Sequence, residues 1–208
     1  MENAANRITL TGTLDCLPVY SHTNHDRKFY RFVLLVDRLS GAIDALPVLA
    51  AEDVLESADL FSGSRIAVTG QLRSFNNRAA EGRRLIVSVY AETLTTTDAP
   101  AQNDAFLEGA ICKPPVYRRT PLGREICDVM LAVPRMYRRT DYIPCILWGR
   151  AAQEAAKLLP GAKLRLSGRL QSRDYIKVLD GVSQTRTAYE LSVTAAEFPE
   201  DAEFSEEF

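Results

Sequence analysis

The sequence predicts an all-β chain in which one small closed barrel occurs twice. An internal repeat carries the duplication: setting Gly12 against Gly109, an offset of 97, keeps register over several dozen residues. At that offset Pro18-Val19-Tyr20 falls on Pro115-Val116-Tyr117, Thr23 on Thr120, Arg27 on Arg124 and Arg38 on Arg135. Asp44 and Pro47 fall on Asp141 and Pro144. One added residue before Gly161 moves the offset to 98, where Gly63 meets Gly161, Gly70 meets Gly168 and Leu72 meets Leu170. The stretch 141–175 carries the barrel itself. There an apolar strand closes on Trp148-Gly149, and a short alanine-rich helix follows from about Arg150 to Leu159. Pro160-Gly161 stops the helix, because proline cannot continue it and glycine suits the turn beyond. The next strand alternates, with Leu164, Leu166, Gly168 and Leu170 on one side and Lys163, Arg165, Arg169 and Gln171 on the other.

Taken in order, each copy reads as strand, strand, strand, helix, strand, strand. In the first copy these are 8–14, 28–37, 43–50, a helix around 53–61, then 65–74 and 85–94. In the second they are 105–113, 125–133, 140–148, the helix from Arg150, then 163–173 and 188–198. The second strand of each copy (FYRFVLLV, ICDVMLAV) is nearly continuous in apolar residues, as a strand in a small closed barrel can be. A helix between the third and fourth of five strands is the arrangement of the OB-fold, a five-stranded Greek-key barrel. The expected organisation is therefore an OB-fold at 1–98, a second at 103–198 and a tail at 199–208. The segment 95–103 (TTTDAPAQN) is small, polar and proline-bearing, as a linker should be.

Composition narrows the function classes. The formal net charge of −2 hides a gradient. Residues 103–198 carry fifteen Lys and Arg against ten acids, residues 1–102 ten against twelve, and the last ten residues five acids and no base. A polyanionic partner is thus expected on the second copy. The amino terminus (MENAANRITLTG) lacks a basic region followed by an apolar run, so no secretory signal is expected. The longest apolar runs are of strand length, and no membrane association is expected. Cys16, Cys112, Cys127 and Cys145 form no C-x-x-C pair, which fits a reduced cytoplasmic compartment. His22, His25 and Cys16 lack a fourth ligand and ordered spacing, so no metal is expected. No nucleophile elbow, phosphate loop or paired carboxylates appear; neither a cofactor nor an enzymatic activity is expected.

Two segments of the second copy resemble the bacterial single-stranded DNA-binding protein family. That family carries an aromatic-Gly-(Lys/Arg)-x-Ala segment before the helix, and here the chain has Trp148-Gly149-Arg150-Ala151-Ala152. It carries a G-x-L-x-(Ser/Thr)-(Arg/Lys)-x-aromatic segment on the next strand, and here the chain has Gly168-Arg169-Leu170-Gln171-Ser172-Arg173-Asp174-Tyr175. The resemblance implies single-stranded DNA binding in replication, recombination and repair. It also implies a homodimer, since family members use four OB-folds and this chain has two. An OB-fold holds single strands by neutralising phosphates and stacking bases on exposed aromatics. The resemblance places stacking aromatics at Tyr137, Tyr142, Trp148 and Tyr175. Trp148, at the end of a buried strand, also fits a core position. The cations expected to meet phosphate are Arg135, Arg138, Arg139, Arg150, Arg165, Arg169, Arg173 and Lys177.

The first copy keeps the glycines and apolar positions but not this set. Tyr137 falls on Ser40, Tyr142 on Ala45, Trp148-Gly149 on Ala51-Glu52, and Arg138-Arg139 on Gly41-Ala42. Phe75 and Arg73 remain near the exit of its fourth strand. It is therefore expected to be a mainly structural partner of the second copy. The tail PEDAEFSEEF resembles the family's acidic carboxy-terminal tip, which would make Phe204, Glu206, Glu207 and Phe208 a docking segment for replication or repair proteins. An ordinary charged terminus reads as well. Two further readings fit an OB pair: a primosome or recombination adaptor with weak nucleic-acid binding, and an RNA-binding protein, since stacking does not separate RNA from DNA.

Overall fold

The computed structural model describes residues 5–76, 85–179 and 182–198, with the side chains of 177–179 and 182 left undescribed. The first barrel is a closed ring of β1 (Asn6–Leu14), β5 (Arg65–Asn76), β6 (Leu85–Thr96), β4 (Ile43–Ala51) and β3 (Arg27–Asp37), with β3 pairing back onto β1. A short helix α1 (Glu52–Leu55) connects β4 to β5, and β2 (Val19–Asn24) lies along the outer edge of β3. The second barrel repeats the ring with β7 (Gln102–Ile111), β11 (Lys163–Leu179), β12 (Val182–Glu197), β10 (Arg139–Trp148) and β9 (Glu125–Arg135). Its helix α2 (Gly149–Ala155) connects β10 to β11, and β8 (Val116–Arg119) edges β9. Both rings are OB-folds, as the order of strands and helix predicts.

The repeat is visible in the packing. Leu10, Leu34, Leu46, Ile66 and Leu72 are fully buried, and so are their counterparts Leu107, Leu131, Ile143, Leu164 and Leu170. Burying a side chain of that size contributes about 1.5–3 kcal/mol, so the matched set is the core of each barrel. Gly70 and Gly168 each sit beside a register shift, where an added Cβ would run into the carbonyl of Tyr90 or Ser192. Gly is required there by close backbone approach. The buried Asn6 amide donates to the Leu72 carbonyl at 2.7 Å and accepts the Leu72 N–H at 2.8 Å; Asn103 and Leu170 repeat the exchange at 2.8 and 2.9 Å.

The barrels join edge to edge. β1 pairs antiparallel with β7, and Ile8 faces Ala105, its own counterpart in the repeat. A pseudo-twofold axis therefore passes between these two residues, and the described strands make one sheet of twelve.

Several elements differ from the sequence expectation for local reasons. β2 and β8 lie outside the expected strands, because neither alternates: all six residues of β2 are exposed, and it is held only by its ladder to β3. The turn from β2 to β3 uses His25 and Asp26, both at positive φ, in place of the usual Asn-Gly. α2 ends at Ala155, short of Leu159, because the next bonds tighten to i→i−3, from Lys157 to Glu154 and from Leu158 to Ala155. α1 is only four residues long. The arms also run further than expected, with β11 reaching Leu179 and β12 starting at Val182.

Candidate nucleic-acid interface

Period-two alternation on β10 sends Asp141, Ile143, Cys145 and Leu147 inward. It leaves Tyr142, Pro144, Ile146 and Trp148 along the outer face. Register with β9 sets Ala132, Met130, Asp128 and Ile126 beside them. Tyr142 is 41% exposed and Trp148 38%, and the Trp148 indole N–H donates to Ser192 Oγ at 3.1 Å on the neighbouring β12. Trp148 is thus an outward side chain fixed by one hydrogen bond, not a core residue. Burial on the inner side pushes the Cys127 thiol up to about 11 and the Cys145 thiol higher still.

The β9–β10 hairpin closes on the pair Arg135–Arg139. At its tip Tyr137 is 88% exposed, and Tyr137 and Arg138 both hold positive φ, 60° and 55°. Bulky residues rarely adopt that region, and each costs about 1–2 kcal/mol there. The first copy has Gly41 at φ 83° in the place of Arg138 and avoids the cost at that position. Arg138 and Arg139 are exposed, and among the described residues neither has a carboxylate partner. Two free guanidinium groups therefore flank an exposed ring. Such an arrangement can stack a base and meet phosphates.

The remaining cations are distributed differently. Arg135 donates to the buried Asp141 at 3.4 Å. Arg165 meets Glu108 at 3.1 Å and Glu197 at 3.7 Å, its cross-strand neighbours on β7 and β12, and the hydrogen bond to Glu108 raises its pKa above the ordinary value. Arg150 pairs with Glu154 one turn along α2 at 2.9 Å. Arg169 reaches across to the Asp37 carbonyl of the first barrel at 3.4 Å, leaving its Nε buried without a partner. Arg173 meets Glu190 at 3.3 Å and lies 6.0 Å over the half-buried Tyr175 ring on the β11 arm. The Lys177 side chain and the tail residues Phe204, Glu206, Glu207 and Phe208 lie outside the described residues. The structure thus gathers Tyr137, Tyr142, Trp148, Arg138 and Arg139 around β9–β10, sets Arg173 and Tyr175 on the other arm and turns Arg165 to carboxylates.

The equivalent face of the first barrel presents Ala45, Pro47, Leu49 and Ala51. Of its nearby cations, Arg27 pairs with Asp53 at 2.7 Å and Lys28 with Glu52 at 3.1 Å, whereas Arg31, beside Leu49 in the ladder, is exposed. Sequence reasoning missed an aromatic run elsewhere on this barrel. His22 stacks on Phe29 at 5.1 Å, Phe29 lies 6.3 Å from Tyr90, and the Arg73 guanidinium sits 5.4 Å over the Tyr90 ring. No single motif marks these residues, since they come from β2, β3, β6 and β5.

A pair of seams fixes the barrels against each other. The Ser74 N–H donates to Asp141 Oδ1 at 2.7 Å, and the Tyr142 N–H donates to Ser74 Oγ at 2.7 Å. Across the pseudo-twofold axis the Ser172 N–H donates to Asp44 Oδ1 at 2.8 Å, and the Ala45 N–H to Ser172 Oγ at 3.1 Å. Each barrel's strand arm therefore holds the other barrel's hairpin.

Known proteins share this architecture. Residues 102–199 match the single-strand binding protein family. Single-stranded DNA-binding protein 2 of Listeria innocua is 35% identical over 80 residues, covering 35% of this chain and 50% of that protein. Single-stranded DNA-binding protein A of Bacillus subtilis is 36% identical over 80 residues, covering 35% of this chain and 46% of that protein. The chain thus spans about half the length of the curated relatives it matches. The crystal structure of the wild-type single-stranded DNA binding protein from Thermus aquaticus superposes with a TM-score of 0.74 at 24% identity, covering 93% of this chain and 92% of that one. That likeness extends the shared fold over both barrels.

Proposed function

We propose, from the match of residues 102–199 to the single-strand binding protein family, that the protein binds and protects single-stranded DNA without catalysing a reaction. One observation supports the reading above the others: Tyr137, Tyr142 and Trp148 are presented outward on β9–β10 beside the exposed Arg138 and Arg139, which have no carboxylate partner among the described residues. Bases stack on the rings while the guanidinium groups meet phosphates, and neither contact depends on sequence. The second barrel is the main binding domain in this reading, and the first holds it in position through the β1–β7 ladder and the two seams. Tyr175, Arg173 and Lys177 on the β11 arm extend the path. Chains pair into a homodimer of four OB-folds and act in the cytoplasm on DNA exposed by replication, recombination and repair, with the acidic tail as a dock for partner proteins.

The test is a titration of Trp148 fluorescence with oligo-dT, repeated with poly-U. Strong quenching by oligo-dT is expected. Tyr137→Ala and Tyr142→Ala should each weaken binding by about 1–3 kcal/mol with the fold intact. Unchanged affinity in both variants would remove the stacking assignment, and tighter binding of poly-U would redirect the reading to RNA.

A further inference from the structure

The two seams are equal in backbone bonding but not in charge. At one, Asp44 receives the Arg38 guanidinium, at 2.8 and 2.5 Å. At the other, Asp141 receives two guanidinium groups, Arg135 at 3.4 Å and Arg73 at 3.3 Å. The repeat explains the difference: Arg73 occupies the position that Gln171 holds in the second barrel. At the Asp141 seam two cations face one carboxylate, and the only other carboxylate that acts on Arg73 among the described residues is Glu92, more weakly than Asp141. At the Asp44 seam one cation, Arg38, faces one carboxylate. Arg73 also lies over Tyr90, so the excess charge sits between the second barrel's hairpin and an aromatic of the first.

Phe75 shares the outer face of β5 with Arg73, two residues along the strand, and is 55% exposed. Its neighbour Ser74 is the residue that bonds both Asp141 and the Tyr142 N–H. The exposed ring therefore stands next to the start of the stacking row on β10. In the second barrel this position is Arg173, so no stacking site of that barrel predicts it.

We infer that the single-stranded path crosses the Ser74–Asp141 seam onto the first barrel, where Phe75 stacks a base and the surplus guanidinium charge of Arg73 and Arg135 meets a phosphate. The inference rests on the proposed function and adds a binding role to a barrel whose own hairpin lacks one. A single strand running from Trp148 past Tyr142 meets the seam next. At the Asp44 seam the cross-barrel cation, Arg169, bonds the Asp37 carbonyl, and the place of Phe75 is taken by Arg173 paired with Glu190, so that seam offers no ring for a base.

The experiment is a titration of the full chain with oligo-dT of about 30 nucleotides, long enough for two OB-folds at about 4–16 nucleotides each. Phe75→Ala and Phe75→Leu should each bind about tenfold more weakly, the loss expected for one stacked base. Phe75→Trp should bind as the unaltered chain does, because it restores a flat ring. Phe61→Ala, an exposed phenylalanine preceding the other end of β5, should bind normally. Arg73→Gln, the residue of the equivalent position, should shallow the salt dependence by about 0.7 in log–log slope. Normal binding by Phe75→Ala or Phe75→Leu, with Tyr142→Ala impaired, would overturn the stacking on the first barrel and leave the proposed function standing. An unaltered slope for Arg73→Gln would remove the phosphate contact. Failure of the unaltered chain to bind oligo-dT would fell the proposed function itself.

Discussion

Ser74 of the first barrel donates its backbone N–H to Asp141 of the second at 2.7 Å, and Asp141 is 1% exposed. A buried carboxylate is tolerable only when its oxygens are fully engaged, and this one also takes Arg73 and Arg135. The bond holds the hairpin that carries Tyr137, so domain docking and the position of that exposed hairpin depend on the same group.

Asp141→Ala should therefore lower the unfolding free energy by about 3–5 kcal/mol, since it strands two guanidinium groups and an N–H. Asp44→Ala should cost less, because a single guanidinium, that of Arg38, is paired there. Urea unfolding checks the ranking. Equal losses would mean that the shared backbone bonds, not the charges, carry the seam.

Arg138→Gly separates stability from binding. Glycine adopts φ near 55° without strain, so the variant should gain about 1 kcal/mol, as far as relieved strain outweighs the added freedom of the unfolded chain. It should also bind oligo-dT more weakly. A thermal melt and a titration on the same sample decide it; gain in stability with undiminished affinity would exclude Arg138 from the phosphate path.

The salt response should distinguish free from paired cations. Arg138→Ala combined with Arg139→Ala should flatten the log affinity against log salt by about 0.7 for each phosphate no longer neutralised. Arg165→Ala should leave that slope unaltered, since Glu108 and Glu197 already occupy the guanidinium. A flatter slope from Arg165→Ala would show that those carboxylates yield to DNA.

Thiol chemistry should follow burial. Cys16 and Cys112 are exposed and should react with a maleimide in the folded chain; Cys127 and Cys145 should not. Burial raises the Cys127 thiol from 9.0 to about 11, so the unfolded chain loses that proton first as pH rises. Stability should be unaffected by this group below pH 9 and fall as the pH climbs toward about 11. A Cys127→Ala variant should lack that part of the alkaline decline; an identical decline would assign it elsewhere.

The two barrels are legible without coordinates, because their core positions are set by local alternation and by glycines that backbone crowding demands. Leu72 and Leu170, or Gly70 and Gly168, can be matched without coordinates, since each is required by its own strand and its neighbour. Tyr137, Tyr142 and Trp148 are indicated by the family resemblance, and only for Tyr142 and Trp148, six residues apart on one strand, does spacing fix a common side of the sheet. The sequence could not mark β2 or β8, which are held by cross-strand bonds and not by an apolar pattern. Nor could it divide the arginines. Arg138 and Arg165 are alike in sequence, and only the folded sheet brings Glu108 and Glu197 against one and leaves the other free. The seams likewise arise only when the two barrels dock. Asp44 and Asp141 are equivalent in the repeat, yet the second carries an additional arginine, because Arg73 reaches it from the other barrel while Gln171 brings no charge to its counterpart.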